Sequence, residues 1–215
     1  MDVRSLEEIN VKLRPDFMMH ICGPSGSGKS AFVKNLILAP DLWSVYPDHI
    51  FICHRSDTSQ YDSISNLPVP VTLWHGSIDF DLIKNTPGYK LLYLDDLLAS
   101  TIEKYKSELT EVYCVSSHHS NISICSCTHQ LFLPGLRNLR LQSTYFVLFE
   151  NKVASDSIAR FANQTGQRSI FMDAYKKATQ RKFGYLFYDA APNTDNRHRL
   201  RGEICTEPQV VFIPE

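Results

Sequence analysis

The stretch FMMHICGPSGSGKS, from Phe17 to Ser30, decides the fold of this chain. It joins an apolar segment to a glycine-rich loop, and the loop leads directly into the helix-forming segment AFVKNLIL. Its last eight residues fill the pattern G-x-x-x-x-G-K-[ST] between a strand and a helix, which is the context that the pattern requires. The sequence therefore predicts a phosphate-binding loop formed by Gly23, Pro24, Ser25, Gly26, Ser27, Gly28, Lys29 and Ser30.

Each part of such a loop has a chemical role in binding a nucleoside triphosphate. Glycines let the backbone N–H groups curve around the phosphates, and the lysine, here Lys29, neutralises the β- and γ-phosphate oxygens. The hydroxyl group of Ser30 can bind Mg²⁺. A chance glycine turn is the alternative, but the flanking strand and helix argue against it. We therefore expect ATP and Mg²⁺ as ligands.

A second apolar segment ends in two carboxylates, as a nucleotide site of this type requires. Residues 90–96 read KLLYLDD, so Asp95 and Asp96 follow a predicted strand. We expect Asp95 to hold the metal together with Ser30. Asp96 stands where P-loop ATPases commonly carry a glutamate that orients the attacking water. A solvated strand end followed by a helix N-cap is the alternative interpretation, and the phosphate loop favours Mg²⁺ chemistry instead.

Length and composition predict one domain over residues 1–215, with a core of about residues 17–190 and a C-terminal strand and basic loop over 191–215. The chain has 215 residues, 43% of them hydrophobic, and a formal net charge of −1. No segment is typical of a signal peptide or a membrane span, and the six cysteines lie mostly in apolar segments, which is typical of reduced, buried thiols. We expect a soluble, intracellular protein without membrane contact.

Short apolar segments alternate with amphipathic ones, which predicts an α/β fold with a mostly parallel central sheet and helices on both faces. The expected helices are residues 31–38, 80–85, 97–115, 155–165 and 170–177. The expected strands are residues 17–22, 49–54, 71–74, 90–94, 121–128, 144–149, 184–188 and 210–213.

The segment SSHHSNISICSCTHQLF, residues 116–132, indicates whether the nucleotide site belongs to a hydrolase or to a kinase. It forms a polar turn and an apolar strand that ends in His129 and Gln130. A hydrolytic ATPase needs a neutral polar side chain at such a strand end to contact the γ-phosphate, whereas a kinase must exclude water and bind an acceptor. The pattern favours a hydrolase.

The same segment permits a zinc interpretation, because Cys125, Cys127 and His129 share one strand face and His118 and His119 lie close in sequence. Their spacing matches no structural zinc motif, and thiols at alternate positions of a buried strand are common packing residues. The sequence favours packing.

Residues 117–132, the strand that ends in Asp95 and Asp96, residues 145–149 and the C-terminal RLR and VVFIP segments together resemble the genome-packaging ATPases of the FtsK–HerA superfamily. The similarity is strongest to the short forms of Maverick/Polinton-type elements and related DNA viruses, and more distant to adenovirus and poxvirus packaging ATPases. It extends from about residue 17 to residue 214.

This resemblance implies a single RecA-like P-loop NTPase domain in which the strand ending at Gln130 lies between the phosphate-loop strand and the Asp95 strand. It further implies a homo-oligomeric ring, a pentamer or hexamer, that drives double-stranded DNA into a capsid with a capsid or portal-type partner protein. The expected location is the host nucleus or cytoplasm, and the virion if the chain is viral.

Two departures from the family pattern concern the catalytic residues. The family ends the central strand in Gln-Asn, so His129 replaces the glutamine and Gln130 the asparagine, and either could contact the γ-phosphate. The family arginine after the two histidines is replaced by Ser120. The first candidate for an arginine finger is therefore Arg137, followed by Arg140 and then Arg160.

Two other functions remain open from the sequence: a P-loop kinase of a small acceptor, and a nucleotide-binding assembly factor with little hydrolysis. Basic clusters at residues 176–182 and 197–201 are either solvated surface or lie along a DNA path or a subunit interface.

Overall fold

The computed structural model describes the backbone of residues 2–5, and residues 12–55, 58–95, 104–112, 121–132, 137–206 and 209–213. Within these ranges one mixed sheet of ten strands forms the centre of the fold. The helices are α1 (Lys29–Ile37), α2 (Asp62–Ser65), α3 (Phe80–Asn85), α4 (Lys106–Glu111), α5 (Arg137–Gln142), α6 (Ser155–Gln164) and α7 (Arg168–Ala178). The strands are β1 (Asp2–Ser5), β2 (Met18–Cys22), β3 (His49–His54), β4 (Val71–His75), β5 (Lys90–Leu94), β6 (Ile122–Thr128), β7 (Tyr145–Phe149), β8 (Tyr185–Asp189), β9 (Leu200–Gly202) and β10 (Val210–Ile213).

The parallel half of the sheet contains the strands that carry the site, in the order β7-β2-β6-β5-β3-β4. β6 lies between β2 and β5, which confirms the strand order that the resemblance implied. Cys22 of β2 pairs with Thr128 of β6, and Leu94 of β5 pairs with Ser126 of β6. The carboxyl ends of these three strands therefore meet at one edge of the sheet. The phosphate loop and Asp95 follow directly from that edge.

The antiparallel half extends the sheet beyond β7 through β8, β9, β10 and β1. The sequence predicted β8 and β10 but not β1 or β9. β1 (DVRS) has only one apolar residue and β9 (LRG) has only three residues, so neither shows the apolar segment that predicts a strand. Pairing with β10 on either side holds both segments in the strand conformation.

Most predicted elements are confirmed, and the strand boundaries agree closely. The bounds of β3, β5, β10 and α3 match residue for residue. Those of β2, β4, β6 and β7 differ by one residue at one end, and those of β8 by one residue at each end. The short helices α2 and α5 were not predicted. Of the helix predicted over residues 97–115, the structure describes α4, because residues 96–103 and 113–120 lie outside the described ranges.

Helices cover both faces of the sheet, as the sequence predicted. On one face, Val33 and Leu36 of α1 share a core with Ile21 of β2 and Cys127 of β6, and α2 packs into the same core through Ile64. On the other face, α3, α4 and α5 pack near β5 and β6, and α6 and α7 pack near β7 and β8. The strands are therefore apolar on both sides, which is the pattern of a covered parallel sheet.

A buried ion pair joins the antiparallel strands β8 and β9. Arg201 is 2% exposed, and its Nη2 donates a hydrogen bond to Oδ2 of Asp189 at 3.1 Å. The guanidinium group also lies 4.5 Å from the ring centre of Phe187, and Oδ1 of Asp189 accepts a hydrogen bond from the Ala191 N–H at 3.0 Å. Because β9 leads directly into Glu203, the pair fixes a segment that borders the end of the phosphate loop.

Replacement of Arg201 by methionine should therefore lower the free energy of unfolding by about 3–5 kcal/mol, because the Asp189 carboxylate would stay buried without its cation. Denaturant unfolding followed by circular dichroism measures the change. The control is Arg197→Met, which removes an exposed ion pair with Asp195 and should change the unfolding midpoint little. Equal effects of the two substitutions would contradict a structural role for the buried pair.

Candidate active site

The phosphate loop joins β2 to α1 in a conformation that needs glycine at two positions. Gly28 has a φ of 106°, in the left-handed region that glycine adopts without strain. A Cβ atom on Gly23 would lie 2.7 Å from Cβ of Phe149 and 2.7 Å from Oγ of Ser27, which is too close for a side chain. Phe149 is 2% exposed at the end of β7. The loop is therefore packed against a fixed aromatic side chain.

The ammonium group of Lys29 lies at the centre of this loop and is nearly removed from solvent. Lys29 is 7% exposed, and its Nζ donates hydrogen bonds to the carbonyl oxygens of Gly23 at 2.8 Å and Pro24 at 3.0 Å. The same atom lies 3.5 Å from Nδ1 of His129. A buried cation needs such acceptors to offset its loss of hydration. The loop thus holds a positive charge at the position that phosphate oxygens would approach.

The N-terminus of α1 adds a second feature that fits a phosphate. The helix has nine residues and begins at Lys29, directly after Gly28, and no side chain caps its first N–H groups. Uncapped N–H groups and the partial positive charge of a helix N-terminus together favour an anion. The donors present in the loop therefore fit the phosphates of a nucleotide.

Ser30 and Asp95 bring a hydroxyl and a carboxylate together beside the loop. Oγ of Ser30 donates to Asp95, with distances of 3.3 Å to Oδ1 and 3.2 Å to Oδ2. The backbone N–H of Asp95 donates to the carbonyl oxygen of Cys53 at 2.8 Å, which fixes the residue at the end of β5. Hard oxygen ligands of this kind fit Mg²⁺, which completes its shell with water and phosphate oxygens.

Tyr61 also contacts Asp95, and the sequence did not reveal it. The residue closes a 3₁₀ turn (Thr58–Tyr61) after β3, is 1% exposed, and donates a hydrogen bond from its hydroxyl group to Oδ2 of Asp95 at 2.6 Å. Burial and the adjacent carboxylate raise the pKa of Tyr61, so its hydroxyl group keeps its proton. A lone tyrosine in a polar turn carries no motif, so only the folded structure brings it to Asp95.

His129 and Gln130 occupy different environments at the end of β6. His129 is half-buried beside the Lys29 ammonium group, whereas the side chain of Gln130 is exposed. The described contact of Gln130 is a backbone one, since its carbonyl oxygen accepts a hydrogen bond from Oγ1 of Thr128 at 3.1 Å. The histidine thus lies nearer to the phosphate loop.

Two of the three candidate finger arginines pack on one aromatic ring, and the third lies close enough to affect the pKa of one of them. Arg137 is exposed at the start of α5. The guanidinium carbons of Arg140 and Arg160 lie 4.2 Å and 4.6 Å from the ring centre of Phe132. Burial and the positive charges of Arg160 and Arg137 lower the pKa of Arg140. Burial and the charge of Arg140 also lower the pKa of His20 in β2, so this arginine lies close to the phosphate-loop strand.

Several predicted site residues cannot be placed or take another role. Asp96, His118, His119 and Ser120 lie outside the described residues. Cys125 and Cys127 are fully buried in β6, and burial raises the pKa of both thiols. Across the described ranges, no group of three or more histidine, cysteine or acidic side chains could hold a metal ion. Both cysteine side chains belong to the hydrophobic core that also contains Val33 and Leu36 of α1.

Several solved structures have the same fold as this chain. The genome-packaging NTPase B204 of Sulfolobus turreted icosahedral virus 2, solved with sulfate, superposes with a TM-score of 0.57 at 16% identity, over 83% of this chain and 94% of B204. A further structure of it, solved with ATP-γS, gives a TM-score of 0.55 at 16% identity over 83% of this chain and 95% of B204. The chain has the fold of these packaging ATPases. The fold that the resemblance implied is therefore confirmed.

The conjugation coupling protein TcpA of pCW3 shares the fold as well, with a TM-score of 0.56 at 10% identity over 82% of this chain and 58% of TcpA. No family model matches the sequence. Among curated proteins, "ABC transporter 1" of Ajellomyces capsulatus is 32% identical over 92 residues, which is 41% of this chain but 7% of that protein. None of the described helices is long and apolar enough to span a bilayer.

Loss of the Tyr61 hydroxyl group in Tyr61→Phe should weaken Mg²⁺ binding in the presence of ATP-γS by about tenfold or more. The reason is that the hydroxyl group orients the Asp95 carboxylate, and partners of metal ligands typically contribute this much to metal affinity. Titration of the protein–nucleotide complex with Mg²⁺ in a calorimeter measures it.

The matched control is Tyr46→Phe, which removes a hydroxyl group that donates to the carbonyl oxygen of Ile37 at 2.7 Å, away from Asp95. We expect this variant to bind Mg²⁺ as the unmodified protein does. A folded Tyr61→Phe protein with unchanged Mg²⁺ affinity would show that the tyrosine serves only to fill the core.

Proposed function

We propose that the chain is an ATP-hydrolysing motor that translocates double-stranded DNA, and that it packages a viral or virus-like genome into a capsid. The observation that carries this proposal is the convergence of Lys29, the Ser30–Asp95 pair and His129 at one sheet edge, in the fold of a DNA-packaging ATPase. We further propose that residues 1–215 form one domain and that the protein works inside the cell.

The residues at this edge divide the work of binding and hydrolysis. Lys29 would exchange the carbonyl oxygens of Gly23 and Pro24 for the β- and γ-phosphate oxygens, since phosphate is the stronger acceptor for its ammonium group. Bound Mg²⁺, held by Ser30 and Asp95, would neutralise negative charge on the phosphates. Asp96 would orient the attacking water and accept its proton.

His129 is the better candidate of the strand-end pair for contact with the γ-phosphate. Its Nδ1 is 3.5 Å from Nζ of Lys29, and that ammonium group is the one expected to reach the γ-phosphate. The side chain of Gln130 is exposed, and its backbone carbonyl oxygen accepts a hydrogen bond from Oγ1 of Thr128. We therefore assign γ-phosphate contact to His129 rather than to Gln130.

The arginine cluster supports assembly into a homo-oligomeric ring, a pentamer or hexamer. Arg137 is exposed, and with Arg140 and Arg160 it adds positive charge to one region of the subunit surface. In a ring, such a surface can reach the γ-phosphate of the neighbouring subunit and stabilise charge in the transition state. The capsid or portal-type protein that would receive the DNA is part of the same proposal.

ATP turnover with and without duplex DNA, measured alongside the oligomeric mass, tests the function. We expect hydrolysis without any acceptor, stimulation by duplex DNA, and a ring-sized assembly. Lys29→Ala should lose nucleotide binding, while Asp96→Asn should keep it and stop turnover. ATP consumption only with an acceptor would indicate a kinase instead, and nucleotide binding without turnover, with or without DNA, would indicate an assembly factor.

Alanine substitutions at the strand end should separate His129 from Gln130. His129→Ala should lower kcat by about 10²-fold or more, the range for removal of a group that stabilises transition-state charge. Gln130→Ala should change kcat by less than about threefold, because an exposed side chain contributes little. Steady-state kinetics at saturating ATP measure both. A larger loss for Gln130→Ala would reverse the assignment.

A finger contributed in trans leaves its own subunit's pocket intact, so Arg137→Ala should keep its ATP affinity and lose about a thousandfold in kcat. Mixing this variant with Lys29→Ala should restore part of the activity, because some interfaces then join an intact pocket to an intact arginine. Titrated mixtures assayed for ATP turnover measure the recovery. Normal hydrolysis by Arg137→Ala alone would exclude the role and direct the same experiment to Arg140.

A further inference from the structure

A largely apolar groove of about 570 Å³ opens directly beside the end of the phosphate loop. Gly28 and Phe32 form one side of it, and residues 181–185 form the other. Phe32, Phe149 and Tyr185 pack edge-on or tilted beneath it, with ring centres 4.9–6.4 Å apart. Its size is in the range of small-molecule sites, and Phe32 and Phe149 in its floor are buried. The groove is therefore a preformed cavity that is continuous with the phosphate site.

Phe183 is the most unusual residue of this groove. Its side chain is 57% exposed, and its φ of 64° places a bulky residue in the left-handed region. Such a conformation is costly for phenylalanine and persists only where the surroundings impose it, often at ligand sites. A Cβ atom on Gly28 would lie 3.4 Å from Cδ1 of Phe183, so the ring stands next to the phosphate loop.

Contacts of the neighbouring residues hold the turn around Phe183 beside the groove. The N–H of Gly184 donates to the carbonyl oxygen of Arg181 at 2.9 Å, and a Cβ atom on Gly184 would lie 2.3 Å from the carbonyl oxygen of Ala178. Arg181 forms an ion pair with Glu203, which anchors the turn to the segment after β9. Nζ of Lys182 lies 5.0 Å from the ring centre of Phe183.

We propose that this groove holds the nucleoside of the bound nucleotide, and that the base stacks on the exposed face of Phe183. The inference rests on the proposed nucleotide site and adds to it the part that recognises the base. A triphosphate held by Lys29 leaves its nucleoside within reach of the groove, because the groove begins at Gly28. A flat aromatic ring that is half-exposed and fixed in place suits a base, since every base has a π-face.

The test compares ATP with inorganic tripolyphosphate, which has the phosphates but no nucleoside, by calorimetric titration in Mg²⁺. Phe183→Ala should bind ATP about tenfold more weakly, the range for loss of one stacked base, and bind tripolyphosphate unchanged. Phe183→Asn, whose residue type tolerates a positive φ, should do the same and controls for a strained backbone. Phe183→Trp should keep ATP affinity, and ATP but not tripolyphosphate should quench the new indole fluorescence.

Two further variants distinguish failure of the base site from failure of the proposed nucleotide site. Leu141→Ala removes an apolar side chain of matched exposure, 58%, on α5 and should leave the ATP affinity unchanged. Lys29→Ala should lose both ligands. If Lys29→Ala loses both but Phe183→Ala and Phe183→Asn bind ATP normally, the base site is wrong and the nucleotide site stands. If Lys29→Ala binds ATP normally, the proposed function fails independently of Phe183.

Discussion

The burial of one ammonium group is the constraint on which the active site depends. Lys29 is 7% exposed, so its charge needs acceptors within the protein, and the carbonyl oxygens of Gly23 and Pro24 supply them. Those carbonyl oxygens can turn inward only if the loop curls around the lysine, which requires glycine where Phe149 packs closely against it. The sequence GPSGSGKS therefore allows both the close packing against Phe149 and the burial of the Lys29 charge. The loop that results has the shape and charge that fit a phosphate.

The parallel half of the sheet brings the other groups to this cradle. Because β6 lies between β2 and β5, His129 and Asp95 both emerge beside the loop, one from each of two adjacent strands. Asp95 is then held from several sides, by Ser30, by Tyr61 and through its own N–H by Cys53. Preorganised carboxylates of this kind can bind a metal without a costly rearrangement. The antiparallel half has a different role, since β8 and β9 position the turn that carries Phe183.

Local patterns were sufficient to predict the loop, Asp95 and every strand of the parallel half. Each of these strands is an apolar segment bounded by polar or glycine-rich residues, and the loop and Asp95 directly follow two of them. Residues that act through tertiary contacts were not predictable in the same way. Tyr61 contacts Asp95 across 34 positions of sequence. Phe183 lies beside Gly28 only because the turn that carries it folds back onto the phosphate loop. The different burial of the His129 and Gln130 side chains was not predictable either, since a strand pattern does not say where the chain leaves the sheet. β9 escaped prediction because a three-residue strand has no period to detect.

The most direct test of this account is an experimental structure of the protein with ATP-γS and Mg²⁺. The account predicts that Nζ of Lys29 leaves the carbonyl oxygens of Gly23 and Pro24 for the β- and γ-phosphate oxygens. It also predicts that the metal lies between Oγ of Ser30 and the Asp95 carboxylate, and that His129 lies within hydrogen-bond distance of the γ-phosphate. A triphosphate bound away from this loop, or a metal without Ser30 and Asp95 in its environment, would contradict it.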